Sequence, residues 1–151
     1  LPKAEPQAAV APQPVRPPRV HGPIAGCVVL CIDNEPAVLE GMETLLSGWG
    51  CKVLCVSSGS AALDLISQDS VTPDIILADY HLDGETGLEA VLGLREFMKA
   101  DVPAVFITAD HSPEVERELR SRGFHLLRKP LKAAALRALM TQLTLRRMAA
   151  E

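Results

Sequence analysis

Four consecutive apolar residues, Ile75-Ile76-Leu77-Ala78, ended by Asp79, constrain the fold more than any other stretch. A strand that alternates apolar and polar side chains can leave one face in water, whereas a strand with no polar position must be covered on both. That demands a central sheet with helices on either side. The run also delivers a carboxylate at its tip, where a loop holding Gly84 and Gly87 begins. In open α/β sheets, ligands sit outside the carboxyl ends of the strands, so Asp79 is placed for chemistry. Taken singly, such an aspartate more often caps a loop, and its companions have to decide the case.

The rest of the folding text repeats the same grammar. Residues 27–32 read as a buried strand ending in Asp33-Asn34-Glu35, and Pro36 then suits the first turn of a helix with Val38, Met42, Leu45, Leu46 and Trp49 on one face. Gly48 and Gly50 close it. Residues 51–56 give a second strand, and Ser57-Ser58-Gly59 leads into a helix carrying Ala62, Leu65 and Ile66. After the strand ending at Asp79 come a helix marked by Leu88, Val91, Leu92 and Met98, and a strand over 102–107 ending in Thr108. Ser112-Pro113-Glu114 is a helix start with a capping hydroxyl, a first-turn proline and an acid; Val115 and Leu119 form its thin apolar stripe, and Gly123 stops it. Residues 124–127 make a fifth strand, and Lys129-Pro130 precedes a last helix bearing Leu136, Leu139, Met140 and Leu143. Five βα units predict an α/β fold, a doubly wound parallel five-stranded sheet in the order 2-1-3-4-5 with right-handed crossovers.

Composition sets the limits. The chain of 151 residues is one domain's worth, and its net charge of −4 with no Lys/Arg block argues against nucleic acid as a partner. No apolar run approaches the roughly 18 residues of a membrane span, so no membrane contact is expected. Residues 1–23 hold seven of the twelve prolines and few large apolar side chains, which predicts a flexible linker. The folded domain is then expected over 24–148, with a disordered tail at 149–151. A start at Leu1, with neither Met nor a leader pattern, suggests a piece of a longer chain. Cys27, Cys31, Cys51 and Cys55 form two C-x3-C pairs. Four residues along a strand span roughly 13 Å, too far for one tetrahedral zinc, so they read as reduced core thiols of a cytoplasmic protein.

In a parallel sheet the polar tips converge on one edge: Asp33-Asn34-Glu35, Asp79, Thr108 and Lys129-Pro130. Carboxylates gathered there make the hard oxygen site that Mg²⁺ prefers, and a cation is needed before a phosphoryl group can approach them. In this order, with Gly87 eight residues after Asp79 and Ala109 after Thr108, the set resembles the receiver domain of two-component response regulators. The linker and the phrasing around Asp33 are most similar to receivers at the C-terminus of hybrid sensor histidine kinases.

That resemblance implies a flavodoxin-like fold in which Asp79 accepts a phosphoryl group from a phosphohistidine, with no general base needed. It implies Mg²⁺ held by Asp79, by the cluster at Asp33 and Asn34, and by the backbone carbonyl of His81, with Glu35 a further candidate ligand. Thr108 would donate its hydroxyl to the phosphate, Lys129 would pair with it, Pro130 would fix the turn and Ala109 would leave room. The implied partners are a histidine kinase or phosphotransfer protein, and self-association through the face of the fourth helix, fifth strand and last helix. The fragment would act as a phosphoacceptor rather than a turnover enzyme, its full-length parent being a histidine kinase.

Departures from the family pattern are equally specific. Asn34 replaces a second acid, Asp83 stands where a proline is common, which suggests a more mobile loop, and Leu126 occupies a position often held by a switching Tyr or Phe. A pseudo-receiver binding module is the alternative reading. An aspartyl phosphohydrolase of the haloacid dehalogenase type is a more distant one, because Asp33-Asn34-Glu35 lacks its Asp-x-Asp.

Overall fold

The computed structural model describes residues 22–150. The linker expected over 1–23 lies, but for Gly22 and Pro23, outside the described residues. The chain runs β1 (Val28–Ile32), α1 (Pro36–Gly48), β2 (Lys52–Val56), α2 (Gly59–Asp69), β3 (Ile75–Asp79), α3 (Gly87–Met98), β4 (Ala104–Thr108), α4 (Pro113–Ser121), β5 (His125–Arg128) and α5 (Ala133–Ala150). The strands form one parallel sheet in the order β2-β1-β3-β4-β5, as the alternation predicts.

The unbroken apolar runs follow from covering both faces. Along β1, Leu30 and Ile32 enter a core with Ala62 and Ile66 of α2, Val91 and Leu94 of α3, and Leu119 of α4. Val29 and Cys31 point the other way, into a second core with Met42 and Leu46 of α1 and Leu136, Met140 and Leu143 of α5. Successive residues alternate between faces, so neither can be polar until the strand leaves the helices behind. Asp33 and Asp79 stand at that limit.

Local chemistry sets the helix ends. Pro36 starts α1, and Gly50 takes a positive φ of 87° just beyond it. The Ser58 hydroxyl accepts the Ala61 N–H at 3.1 Å, and Ser112 accepts that of Val115 at 3.3 Å. Thr86 and Glu89 form a reciprocal capping box at the start of α3. The sequence reading missed a short antiparallel ladder, His81–Leu82 with Glu85–Thr86, which turns at Gly84. Two-residue strands are too short to show periodicity.

Several boundaries shift. The fifth strand begins at His125, leaving Phe124 buried beneath it, edge-on to Phe106 with ring centroids 5.3 Å apart. α5 continues through Ala150, which corrects the tail expected at 149–151 as far as Ala149 and Ala150, Glu151 lying outside the described residues: the alanines near the helix end favour helix and carry no stop. The arginines of α5 also do more than face solvent. Arg137 lies over the Trp49 ring at 5.3 Å, and Arg147 donates to the Asp74 carbonyl at 2.7 Å.

Candidate functional site

The strand tips meet as the topology requires. β1 and β3 are neighbours, and Asp33 and Asp79 leave them side by side with side chains only 8% and 11% exposed. Lys129, from the end of β5, reaches between them. Its Nζ lies 3.3 Å from Asp79 Oδ2, 3.5 Å from Asp33 Oδ2 and 3.8 Å from the more exposed Glu35 Oε1. The Glu35 N–H donates to Asp33 Oδ1 at 2.9 Å, and the His81 N–H to Asp79 Oδ1 at 3.3 Å.

Electrostatics separates the partners of this cluster. Burial pushes the Asp33 carboxyl up, against the lowering effect of the Glu35 N–H and the Lys129 ammonium. Burial would lower Lys129, but the Asp33 and Asp79 carboxylates outweigh it and hold the ammonium above its ordinary value. One ion pair thus favours the charge on the lysine while leaving that on Asp33 disfavoured. The two readings agree once desolvation is seen to dominate at Asp33, the more deeply buried group.

Thr108 is fully buried at the tip of β4. Its Oγ1 accepts the Asp110 N–H at 3.0 Å, and its carbonyl accepts the Lys129 N–H at 2.8 Å, which ties the β4 and β5 tips together. The Lys129–Pro130 peptide is cis, and Pro130 lines the cleft. That cleft, about 190 Å³, runs beneath the three charged groups between walls that include Val38, Met42, Leu77 and Ile107.

Asn34, expected among the metal ligands, has a side-chain partner across the site. Its amide donates to Asp83 Oδ1 at 2.9 Å, away from Asp79, and so tethers the loop expected to be mobile. His81 reaches Asp110 Oδ2 through Nε2 at 2.7 Å, a bridge between the β3 and β4 loops, and it holds the Asp110 carboxyl below the usual range.

Sequence reasoning missed three contributors and gave no structural reason for a fourth, Gly87, which it marked only by its spacing from Asp79. A Cβ on Gly87 would lie 2.1 Å from the Asp79 carbonyl oxygen, so α3 can start against the back of the site only with glycine there. Glu85 Oε2 accepts the Gly59 N–H at 2.9 Å and pins the short ladder to the start of α2. Arg128 donates to the Asp110 carbonyl at 2.9 Å and to Glu116 Oε1 at 2.8 Å, binding the tip of β5 to α4. Tyr80 is buried against Phe106, centroids 6.3 Å apart, with its hydroxyl 3.5 Å from Glu118 Oε1 on α4. Arg128, next to Lys129 at a strand tip, and Gly87, by its spacing from Asp79, carried a visible signal. The other two depend on what the fold brings beside them.

The donors suit a hard divalent cation of modest protein coordination. Two buried carboxylates already share one cation, the Lys129 ammonium. Among the described residues no cluster of three or more His, Cys, Asp or Glu side chains is gathered as a metal cage. Mg²⁺ is characteristically held by one or two carboxylates with water and phosphate oxygens, so this sparse set fits it better than zinc.

A doubly wound sheet with an acidic, lysine-capped cleft at its switch point defines the class: an α/β domain whose charged strand tips gather at one edge. The chain belongs to the response regulator receiver domain family, whose model matches residues 29–141. It is therefore a receiver domain of two-component signal transduction. It is 34% identical over 115 residues to the phyllosphere-induced regulator PhyR of Methylorubrum extorquens, covering 76% of this chain and 42% of that protein. It is 32% identical over 113 residues to the sensor protein GacS of Pseudomonas syringae pv. syringae, covering 72% of this chain and 12% of GacS. The matched region thus spans less than half the length of either relative. A receiver domain from Clostridium thermocellum superposes with a TM-score of 0.74 at 20% identity, covering 83% of this chain and 99% of that one, a likeness of fold.

Proposed function

We propose that this receiver is a phosphoacceptor in which Asp79 takes a phosphoryl group from a phosphohistidine. The observation that carries the reading is the Asp79 carboxylate held 3.3 Å from Lys129, beside the buried Asp33. A carboxylate oxygen bonds to phosphorus as the phosphorus–nitrogen bond to the donor imidazole breaks, and the product is an acyl phosphate. A carboxylate nucleophile needs no general base, so the task of the surrounding groups is to position and neutralise.

Lys129 is poised to leave the carboxylates for the phosphoryl oxygens. The Thr108 hydroxyl sits at the adjoining strand tip, able to donate to the same group once it arrives. Mg²⁺, held by Asp33, Asp79 and the His81 carbonyl, would supply positive charge that screens the phosphate from these acids. Asn34, engaged by Asp83, and the outlying Glu35 are less suited as direct ligands.

The donor would be a histidine kinase or a phosphotransfer protein, and similarity to GacS favours a place within a hybrid sensor kinase. Similarity to PhyR also accommodates a separate response regulator. Output would pass through protein contacts on the α4, β5 and α5 face, to which Arg128 and Tyr80 connect the site. No helix among the described residues is long and apolar enough to cross a membrane.

The test is to incubate the purified chain with acetyl phosphate, with and without Mg²⁺, and read intact mass. One added phosphoryl group that requires Mg²⁺ and is lost in Asp79→Ala is expected. Failure to add phosphate under every condition would replace this reading with a non-phosphorylated binding module.

A further inference from the structure

All four cysteines lie on one face of two neighbouring strands, and they pair across the strands rather than along them. β1 and β2 run parallel with Cys31 opposite Cys55, and the same register brings Cys27 opposite Cys51 at the strand entrances. All four are free thiols. The two pairs differ in exposure: Cys27, Cys51 and Cys31 are buried, and Cys55 is not. Cys27 lies 3.8 Å from the Thr144 hydroxyl and Cys51 donates to the Ile24 carbonyl at 3.5 Å, so each sulfur has its own oxygen partner. Burial raises both thiols, Cys51 to about 11, which leaves them inert.

Cys31 and Cys55 differ in exposure. Cys31 is 2% exposed and faces Cys55 directly across the strands, while the Cys55 thiol donates to the Leu39 carbonyl at 3.7 Å. The adjacent Cys31 thiol holds Cys55 below the ordinary thiol value. Cys55 is half-buried on the edge strand of the sheet, where solvent can reach it. Facing residues on adjacent strands lie roughly 4.8 Å apart, inside the roughly 4.4–6.8 Å that Cα atoms span in a disulfide. β2 has a strand neighbour on one side only, so it can yield the small Cβ shift that closure needs.

We propose that Cys31 and Cys55 form a thiol redox pair that peroxide converts reversibly into a cross-strand disulfide behind the acidic cleft. Cys55 is the attacking sulfur: its thiolate bonds to one peroxide oxygen as the O–O bond breaks, giving a sulfenic acid, and the departing hydroxide leaves as water. Cys31 then attacks the Cys55 sulfur, the S–O bond breaks, and the Cys31 proton goes with the second water. Two thiols give up two electrons and two protons, and hydrogen peroxide becomes two waters. A dithiol reductant reverses the bridge by exchange. Cys31 itself lines the cleft beneath Asp33, Asp79 and Lys129, so the bridge would form in the wall of the site. The inference stands apart from the phosphoacceptor reading, because it needs no phosphate.

The experiment treats the fully reduced chain with hydrogen peroxide, alkylates the remaining thiols, and reads intact mass and digested peptides. A loss of two hydrogens, a linked peptide joining Cys31 to Cys55, and reversal by dithiothreitol are expected. Cys31→Ser should stop the sequence at a Cys55 sulfenic acid that dimedone traps, and Cys55→Ser should slow oxidation at Cys31 by about tenfold or more. The paired Cys27→Ser and Cys51→Ser change should leave the link intact. A bridge between Cys27 and Cys51, sulfinic acid at Cys55 with no bridge, or four unreacted thiols at peroxide levels that oxidise a small-molecule thiol would overturn the proposal. Mapping the unmodified chain decides the matter even if a serine variant fails to fold.

Discussion

Asp33 is kept at a cost to the fold. Its carboxyl is raised in the native state, so its ionisation opposes folding; its contribution is most favourable below the ordinary aspartate range near pH ~3.9 and is lost as pH rises through the raised native value. Asp33→Asn should therefore stabilise the domain at pH 7 by about 1 kcal/mol, the gain shrinking as pH falls toward about 4. Urea titrations at the two pH values check the sign, and the same variant should need more Mg²⁺ to take up phosphate. Lys129 has the opposite role, because its raised value marks an ammonium that the folded state stabilises up to alkaline pH. Replacing it in Lys129→Met leaves Asp33 and Asp79 facing each other without compensation. Uptake from acetyl phosphate should slow by about a hundredfold, measured as initial rate at saturating Mg²⁺. Asp79 and Thr108 could be read from the chain because each ends an apolar run, and Lys129 because it follows a strand and precedes Pro130; the geometry brings Asp79 and Lys129 into contact. The bond between Asn34 and Asp83 was not legible, because the two lie 49 positions apart along the chain and nothing local says that they meet.

Among the elements, the start of α3 and the tip of β5 control the site. Gly87 lets α3 begin against the Asp79 carbonyl, where a methyl group would sit 2.1 Å from the oxygen, too close for a side-chain shift to relieve. Gly87→Ala should destabilise the domain by about 2 kcal/mol or more, seen as a lower denaturation midpoint with unchanged slope. Arg128 links β5 to the β4–α4 loop and to α4 through charge-assisted bonds. Its removal in Arg128→Ala should speed amide exchange in α4 by about tenfold while leaving α3 unchanged, as hydrogen exchange would measure. The helices and strands themselves were legible from periodicity and caps. The short ladder after β3 was not, since its four residues pair only because Gly84 turns the chain back.

For the molecule as a whole, stability is unevenly distributed around the sheet. α3 buries Gly87, Leu88, Ala90, Val91 and Leu94, whereas α4 buries Leu119 alone. Hydrogen exchange across the intact domain should therefore find α4 opening before α3. Leu119→Ala should cost about 2–5 kcal/mol, read from denaturant unfolding. A phosphate added near the loops that hold α4 would act on the helix least committed to the core. Under the proposed function, the α4, β5 and α5 face is where that local charge change would be read.

The sequence by itself determined the layered architecture and the strand order, because unbroken apolar strands must be covered twice and alternating βα units wind in one hand. It also determined which residues stand at the strand tips. The tertiary structure alone decided how those tips are shared: Lys129 between two carboxylates, Asn34 drawn off by Asp83, Gly87 beneath Asp79. The cysteines show the same division, for their spacing along the chain excludes a common metal, while their pairing across β1 and β2 depends on register. Register is set by the packing of whole strands between helix layers, and no short stretch of sequence carries it.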